Sequence, residues 1–213
     1  MSAPIAVPPS PSPSTPGRVR RWLRREGVPL AVMLVLLVVA RSSLANHYHV
    51  PTGSMEPTLM PGDRVVVDMR AYGVRAPLTG HTLWSGAAPA RGDVVVFRSP
   101  GDGTRLIKRV AAVAGDRVDL ADGYLSINGR ALAAAPGLPE DFGARQATLD
   151  LDAGGGPDIR GLVVPDGQVL VLGDHRGMSF DGRYFGLVPS DAIYGQARGV
   201  YWRRGDGLRW QRL

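Results

Sequence analysis

Short runs of apolar, often β-branched residues, each next to a glycine turn, constrain the fold of this chain more than any other feature. Residues 94–97 come directly after an Arg-Gly-Asp turn, and residues 105–113 come shortly after a Gly-Asp-Gly turn. Runs of this length between turn residues are typical of β-strands. The further strands predicted on this basis are 64–67, 117–120, 124–127, 163–164, 169–172, 192–195 and 199–202. Because no long helical pattern separates them, we predict a mainly β, antiparallel domain.

Two segments of this domain have a different composition. Residues 69–90 mix isolated apolar side chains with glycines and prolines, and we predict that they form an extended hairpin arm. Residues 121–165 are predicted to form a small inserted cap region. Between 131 and 161 the chain is rich in Ala, Gly, Asp and Pro, which indicates loose structure.

The N-terminal part of the chain combines a basic cluster with an apolar run. Residues 1–21 are rich in proline and serine and are predicted to form a disordered, cytoplasmic tail. The apolar run 28–40 is short for a bilayer core, but flanking residues extend it. We therefore predict one transmembrane signal-anchor helix over 22–46. Basic residues before the apolar run orient such a helix with its N-terminus in the cytoplasm, which places residues 47–213 outside. These basic residues are Arg18, Arg20, Arg21, Arg24 and Arg25.

A cleavable secretory signal is an alternative interpretation of this segment. It has the same basic region and apolar core, and Ser43-Leu44-Ala45 fits its cleavage site. Arg41 intrudes between the apolar core and that site, which favours an uncleaved anchor. The formal net charge of +6 would otherwise suggest nucleic-acid binding, but membrane orientation explains the arginines that cause much of it. We expect membrane phospholipid, and no nucleic acid, as a partner.

The loop around Ser54 is a candidate nucleophile loop. Pro51 and Pro57 fix the backbone and exclude a helix interior, and Gly53 permits a conformation that a side chain would forbid. The loop therefore holds Ser54 at a defined angle to the backbone. Most loops of this composition are only connections, so the catalytic interpretation depends on a suitable base elsewhere.

Lys108 is the candidate base. In a strand it shares a face with Leu106 and Val110, whereas Ile107 and Arg109 point the other way. If that face is the core, burial lowers the lysine pKa and makes its amine a competent base for a serine hydroxyl. The alternative is an ordinary lysine that snorkels from a strand edge. Arginine could not serve instead, because its pKa is too high.

Other catalytic systems are less well supported by the sequence. The absence of cysteine excludes a thiol nucleophile, a disulfide framework and a thiolate zinc site. A serine–histidine system would need His47, His49, His81 or His175, and only His175 lies in a turn that can approach a distant site. His47 and His49 have no evident third metal ligand nearby.

Five ordered motifs resemble those of the bacterial type I signal peptidases. The first is the segment 51–59, Pro-Thr-Gly-Ser-Met-Glu-Pro-Thr-Leu, which resembles their nucleophile box. The others are Gly-Asp-Arg-Val-Val-Val (62–67), Arg-Gly-Asp-Val-Val-Val-Phe (91–97), Leu-Ile-Lys-Arg-Val (106–110) and the segment 173–186. The match runs from about residue 50 to 202, and residues 71–91 resemble the extended ribbon of longer members.

The resemblance implies a serine endopeptidase that removes signal peptides from secretory preproteins by cutting after small residues. Ser54 would be the nucleophile and Lys108 its general base. Thr52 would help the Ser54 amide to bind the oxyanion. Ser179 would hydrogen-bond to Lys108 and orient it. The family is mostly β and uses neither a metal nor an organic cofactor.

The resemblance also implies a supporting group of residues behind the site. Asp181 and Arg183 would form an ion pair, and Gly173 and Asp174 would shape the turn that brings segment 173–186 under the lysine. Family members usually have Asn and further polar residues where this chain has His175, Gly177 and Met178, so loop geometry or substrate preference is expected to differ.

The resemblance and the charge pattern agree on location. We expect a single-pass protein of the cytoplasmic membrane, monomeric, with its catalytic domain on the extracytoplasmic side. We hypothesise that apolar residues around Ser54, namely Val50, Met55 and Leu59, contact the lipid surface. Two rivals are another Ser/Lys peptidase, such as a conjugation-pilus maturation protease, and an inactive envelope protein that only binds peptides.

Overall fold

A computed structural model describes residues 22–34, 45–75 and 82–213. Its strands are β1 (Ala45–His49), β2 (Arg64–Asp68), β3 (Gly73–Arg75), β4 (Thr82–Ser85), β5 (Val94–Arg98), β6 (Arg105–Val113), β7 (Arg117–Ala121), β8 (Tyr124–Ile127), β9 (Arg130–Ala131), β10 (Glu140–Asp141), β11 (Gln146–Ala147), β12 (Ile159–Val163), β13 (Gln168–Leu172), β14 (Val188–Pro189), β15 (Ile193–Arg203) and β16 (Gly207–Arg212). Beyond residue 45, helix in the described ranges is limited to single turns at Arg176–Met178, Gly182–Phe185 and Ser190–Ala192. The mainly β, antiparallel prediction is confirmed.

The N-terminal unit, residues 1–40, is helical where it is described. Residues 22–34 form one helical stretch, which includes a π-helical segment at Leu23–Gly27. In the ranges that the structure describes, no helix combines the length and the apolar composition that a membrane crossing requires. The predicted tail, 1–21, lies outside the described residues, as does much of the predicted anchor, 22–46.

The second unit, residues 41–213, is built on one antiparallel sheet. Its strand order is β1-β2-β15-β5-β6-β13-β14, and β16 also pairs with β15. The long strand β15 pairs first with β5 and then with β2. It replaces the two strands predicted at 192–195 and 199–202, since the chain between them stays extended. Strand β16 was not predicted from the sequence.

The main sheet is covered on both faces. Along the central strand β5, Val94 and Val96 join one apolar cluster, whereas Val95 and Phe97 join another. This alternation follows from the two-residue period of a strand. A sheet covered on both faces can hold a charged side chain away from water on either side.

The hypothesis that residues around Ser54 contact lipid is wrong for three named side chains. Val50, Met55 and Leu59 are 2%, 0% and 0% exposed, and they belong to the same apolar cluster as Val65 and Val67. The loop folds back over β2 and removes these side chains from water, which stabilises the domain.

The inserted region is more ordered than predicted. Strands β7, β8, β9 and β12 form a four-stranded sheet, and β10 and β11 form a hairpin. Apolar side chains that alternate along β7 and β8 pack against Ala112 of β6 and Leu170 of β13. They are Val118, Leu120, Leu125 and Ile127. In the predicted arm, 69–90, β3 and β4 pair as an antiparallel hairpin, and residues 76–81 between them lie outside the described ranges.

Candidate active site

The Ser54 loop is held at both ends by backbone hydrogen bonds. The Val50 amide donates to the Asp63 carbonyl at 2.9 Å, and the Gly62 amide donates to the Val50 carbonyl at 2.8 Å. The buried Met55 side chain anchors the middle of the loop in the core. Ser54 itself is only partly buried, so its hydroxyl faces the cavity that this loop borders.

Lys108 lies on β6 just beyond the end of a neighbouring strand. On one side it pairs with Val95 of β5. On the other side, β13 ends with Leu172 opposite Arg109, so the edge of β6 is open at Lys108. The Ser54 loop approaches at this opening, and Lys108 Nζ donates to Ser54 Oγ at 2.5 Å.

The surroundings of Lys108 lower the pKa of its amine to about 8. Burial is the largest cause, since Lys108 is 2% exposed and an ammonium ion is poorly solvated there. The negative charges of Asp181 and Asp174 act in the opposite direction, and the positive charge of Arg183 lowers the pKa further. The strand-edge snorkelling alternative does not apply, because the side chain is enclosed.

Gly173 allows the Ser54 loop and segment 173–186, the two halves of the site, to approach each other. A Cβ atom at this position would lie 2.4 Å from the Ser54 carbonyl oxygen and 2.2 Å from Ser179 Oγ, and both are impossible contacts. The Gly173 amide donates to Asp181 Oδ2 at 2.9 Å. This glycine is therefore required by the packing of segment 173–186 against the Ser54 loop.

Asp181 is the centre of the supporting group. Arg183 donates to it through Nε at 2.8 Å and Nη2 at 2.9 Å, a two-bond ion pair with both side chains buried. Ser179 Oγ donates to Asp181 Oδ2 at 2.6 Å. The hydrogen bond predicted between Ser179 and Lys108 is not among those that the described residues make. A carboxylate two residues away attracts the hydroxyl proton more strongly than an amine does.

A cavity of about 540 Å³ opens in front of Ser54 and Lys108. Thr52 and Gly53 border it on the loop side, and the apolar side chains of Leu106, Met178 and Phe180 form much of the rest. Thr52 is thus in the cavity wall beside Ser54, although its predicted role in binding an oxyanion remains a prediction. The volume and apolar wall suit a short segment of peptide.

Asp174 has a partner that the sequence did not indicate. Arg109, on the opposite face of β6 from Lys108, donates to Asp174 through Nε at 2.8 Å and Nη2 at 2.6 Å. Thr58 Oγ1 donates to the same carboxylate at 2.5 Å, and Arg109 Nη1 donates to the Gly92 carbonyl at 2.9 Å. This group links β6, the Ser54 loop and segment 173–186. The placement of Arg109 within an apolar run was the available signal.

A third buried ion pair joins the inserted region to segment 173–186. Arg176 and Glu140 are 1% and 0% exposed, and Arg176 Nη2 donates to Glu140 Oε2 at 2.6 Å. Arg176 also donates to the Gly123 carbonyl. The inserted region therefore holds the segment that supports Lys108, a role that its composition did not indicate.

A larger cleft, about 980 Å³, lies elsewhere on the domain. Arg109, Arg145 and Trp210 are among the residues that line it. Its wall contains neither Ser54 nor Lys108, so we place the chemistry in the smaller cavity.

The three described histidines do not replace Lys108 at Ser54, and His81 lies outside the described residues. His47 and His49 are exposed on the edge strand β1. His175 approaches the loop through its backbone amide, which donates to the Ser54 carbonyl at 3.3 Å, and through its ring, which lies near the Glu56 carboxylate and not at Ser54 Oγ. Within the described ranges, the hydrogen-bond partner of Ser54 Oγ is Lys108.

Comparison with known proteins identifies the family. The family model for signal peptidase, peptidase S26, matches residues 21–202. Probable signal peptidase I-2 of Synechocystis sp. is 31% identical over 188 residues, which cover 85% of this chain and 73% of that protein. Signal peptidase I of Pseudomonas fluorescens is 32% identical over 195 residues, 79% of this chain and 69% of that protein. The solved structure of a signal peptidase I from Enterococcus faecalis V583 is 30% identical, covers 52% of this chain and 97% of its own, and has a TM-score of 0.37. The chain belongs to the signal peptidase family, peptidase S26.

Proposed function

We propose that this protein removes N-terminal signal peptides from exported preproteins, with Ser54 as nucleophile and Lys108 as general base. Membership of the signal peptidase family supports the activity. The observation that carries the mechanism is the 2.5 Å hydrogen bond between Lys108 Nζ and Ser54 Oγ at a buried position. A serine hydroxyl and a base at this distance form the nucleophile–base pair of covalent catalysis.

The first half of the reaction forms an acyl-enzyme. Neutral Lys108 takes the proton of Ser54 as Oγ attacks the carbonyl carbon of the scissile bond. The backbone amide of Ser54 and the hydroxyl of Thr52 are the proposed donors to the resulting oxyanion. The C–N bond then breaks, and the Lys108 ammonium gives its proton to the departing amine.

The second half releases the signal peptide. A water molecule attacks the ester carbonyl on Ser54 and gives a proton to Lys108. The ester bond breaks, the signal peptide leaves as a carboxylic acid, and Ser54 Oγ recovers the proton from Lys108. Because Lys108 must lose and regain a proton in each half, a pKa of about 8 suits it to neutral or mildly alkaline conditions.

Asp181 and Arg183 are proposed positioning residues for this cycle. The Asp181 carboxylate accepts from Ser179, Gly173 and Arg183, so it fixes the turn beneath Lys108. The Arg183 guanidinium offsets its negative charge. Without that offset, Asp181 would favour the ammonium form of Lys108 more strongly.

A membrane-anchored location is part of the proposal. Five arginines precede the apolar run, which supports a cytoplasmic N-terminus. In the described helix, the apolar side chains of Leu30, Val32 and Leu34 are 53%, 51% and 52% exposed. Apolar side chains exposed along one helix are suited to a lipid environment. Carbonate-washed membranes should retain the full chain, and recovery in the soluble fraction would contradict the anchor.

The mechanism is tested with the full chain and a preprotein that carries an Ala-X-Ala site. Ser54→Ala and Lys108→Ala should each reduce cleavage to background, while circular dichroism shows that both variants fold. Ser99→Ala is the matched control, because the Ser99 hydroxyl accepts from the Gly101 amide and belongs to neither half of the site. Retained cleavage in Lys108→Ala would overturn the assignment of the base.

A further inference from the structure

Three side chains with metal-ligating groups converge beside the Ser54 loop. They are Glu56, Asp150 and His175, and one ligand atom from each lies within 4.8 Å of the other two. Glu56 belongs to the Ser54 loop, Asp150 to the inserted region and His175 to segment 173–186. Asp150 and His175 form a parallel β-bridge, so the backbone fixes their separation.

One ring nitrogen of His175 lies at hydrogen-bond distance from a carboxylate, and the other has no hydrogen-bond partner among the described residues. Its side chain is 8% exposed, and Nε2 lies 2.6 Å from Asp152 Oδ1. Nδ1 is buried and has no hydrogen-bond partner in the described part of the chain. A carboxylate on Nε2 favours the tautomer in which Nε2 carries the hydrogen, so Nδ1 presents a lone pair.

That lone pair faces another acceptor. Glu56 Oε2 lies 3.5 Å from His175 Nδ1. An imidazole lone pair and a carboxylate repel each other unless a cation or a proton lies between them. The arrangement of carboxylate, histidine and open lone pair is the one in which a metal-binding histidine is commonly held.

We propose that Glu56, Asp150 and His175 form a Zn²⁺ site that inhibits the enzyme. One imidazole and two carboxylates suit a borderline cation that takes nitrogen and oxygen ligands. Neighbouring ligand atoms around tetrahedral zinc are about 3.3 Å apart, close to the 3.5 Å between His175 Nδ1 and Glu56 Oε2. Asp150 would close the third position by a small movement of its side chain. A fourth position stays open toward water.

The inhibitory part rests on the function proposed above and on the position of this cluster. Glu56 and His175 line the same cavity as Ser54 and Lys108. The Glu56 amide donates to the Gly53 carbonyl at 2.9 Å, and the His175 amide donates to the Ser54 carbonyl at 3.3 Å. Zn²⁺ would therefore link the Ser54 loop to segment 173–186. It would also cover part of the cavity wall that a bound peptide would contact.

Zinc binding is measured first, by calorimetry with Zn²⁺ on the full chain and on Ser54→Ala. Both should bind one Zn²⁺, because the nucleophile is not a ligand. His175→Asn should weaken binding at least about tenfold. The double variant His47→Asn/His49→Asn is the matched control, since it removes two exposed histidines elsewhere and should bind as the parent does.

Inhibition is measured second, by preprotein cleavage with and without Zn²⁺. The parent chain should lose activity on saturation and regain it with a chelator, whereas His175→Asn should show little change from its own zinc-free rate. Unchanged zinc binding in His175→Asn, or no binding in the parent, overturns the site. Binding without inhibition overturns the inhibitory part. Absence of cleavage in every zinc-free sample would instead count against the proposed function.

Discussion

Lys108 and Arg109 are neighbours on β6 with similar burial and different hydrogen-bond partners. They are 2% and 3% exposed and project from opposite faces of the strand. Arg109 makes a two-bond ion pair with Asp174, whereas the hydrogen bond of Lys108 goes to the neutral hydroxyl of Ser54. Arg109 is thus paired directly with a carboxylate, whereas the charges of Asp181 and Asp174 only partly offset the effect of burial on Lys108.

The difference in hydrogen-bond partners gives Arg109 and Lys108 different pKa shifts. Burial acts to lower the pKa of Arg109, but the Asp174 carboxylate raises it overall, so this side chain stays charged. For Lys108, burial is the larger effect and the pKa falls to about 8. An ion-paired cation can only position other groups, while an incompletely compensated amine can take and return a proton. The comparison predicts opposite responses to the same substitution on the two faces.

Lys108→Met gives the largest expected change in activity. Preprotein cleavage should fall by about three orders of magnitude or more, because the general base is lost. The same variant should be more stable to urea at pH 7, by about 1–3 kcal/mol, since it no longer buries an ammonium ion. If unfolding measurements show instead that the variant is less stable than the parent, the buried lysine is not under electrostatic strain.

Arg109→Met gives the largest expected loss of stability. The free energy of unfolding should fall by about 3–5 kcal/mol, because the Asp174 carboxylate remains buried without its cation. Arg109→Met combined with Asp174→Asn is the control, and urea unfolding should show that it recovers part of the loss. Equal stability of the single and double variants would mean that the pair is not coupled.

The pH dependence of cleavage tests the Lys108 pKa itself. Below pH 8 the rate should fall about tenfold per pH unit, because the fraction of neutral amine falls by that factor. The free energy of unfolding should also rise with pH, but over a higher pH range than the cleavage rate. An unfolded lysine retains its proton up to about pH 10.4, so unfolding becomes less favourable as the pH rises from about 8 toward that value. A cleavage rate that is flat between pH 6 and 9 contradicts both the pKa and the role.

Asp181→Asn should cause a small shift of the pH profile of cleavage. The Asp181 charge raises the pKa of Lys108, so its removal should move the midpoint of the rate profile to lower pH, by up to about one unit. The maximum rate should also fall, since Gly173 and Arg183 lose a charged acceptor. Asp206→Asn, at an exposed ion pair, should leave the midpoint unchanged. A midpoint that moves to higher pH would mean that Asp181 acts mainly through structure.

Most strands and the two candidate catalytic side chains could be predicted from the sequence. The runs at 94–97 and 105–113 correspond closely to β5 and β6, because apolar residues between glycine turns have few other local solutions. Ser54 and Lys108 were identified as candidates from their loop and strand contexts, and the structure brings them into contact. Their catalytic roles stay predictions until the variants are measured.

The lipid-contact hypothesis failed, and the description of the insertion was incomplete, for a common reason. Met55 and Leu59 suggested an apolar surface, and residues 131–161 suggested loose structure, when each segment was read alone. In the fold, the first pair fills the core over β2, and the second segment contributes β12 to a sheet and Glu140 to a buried ion pair. A local pattern shows that a side chain is apolar, but it does not show what covers it.

Residue types and their order along the chain were sufficient to predict an antiparallel β-domain, a constrained serine loop and a lysine on an apolar strand. Those properties depend on backbone conformation and on the two-residue period of a strand, which act between near neighbours. Tertiary structure decided which cation received a carboxylate and which faced a hydroxyl. Asp174 and Arg109 are 65 residues apart, as Lys108 and Ser54 are 54 apart, and only the folded sheet brings either pair together.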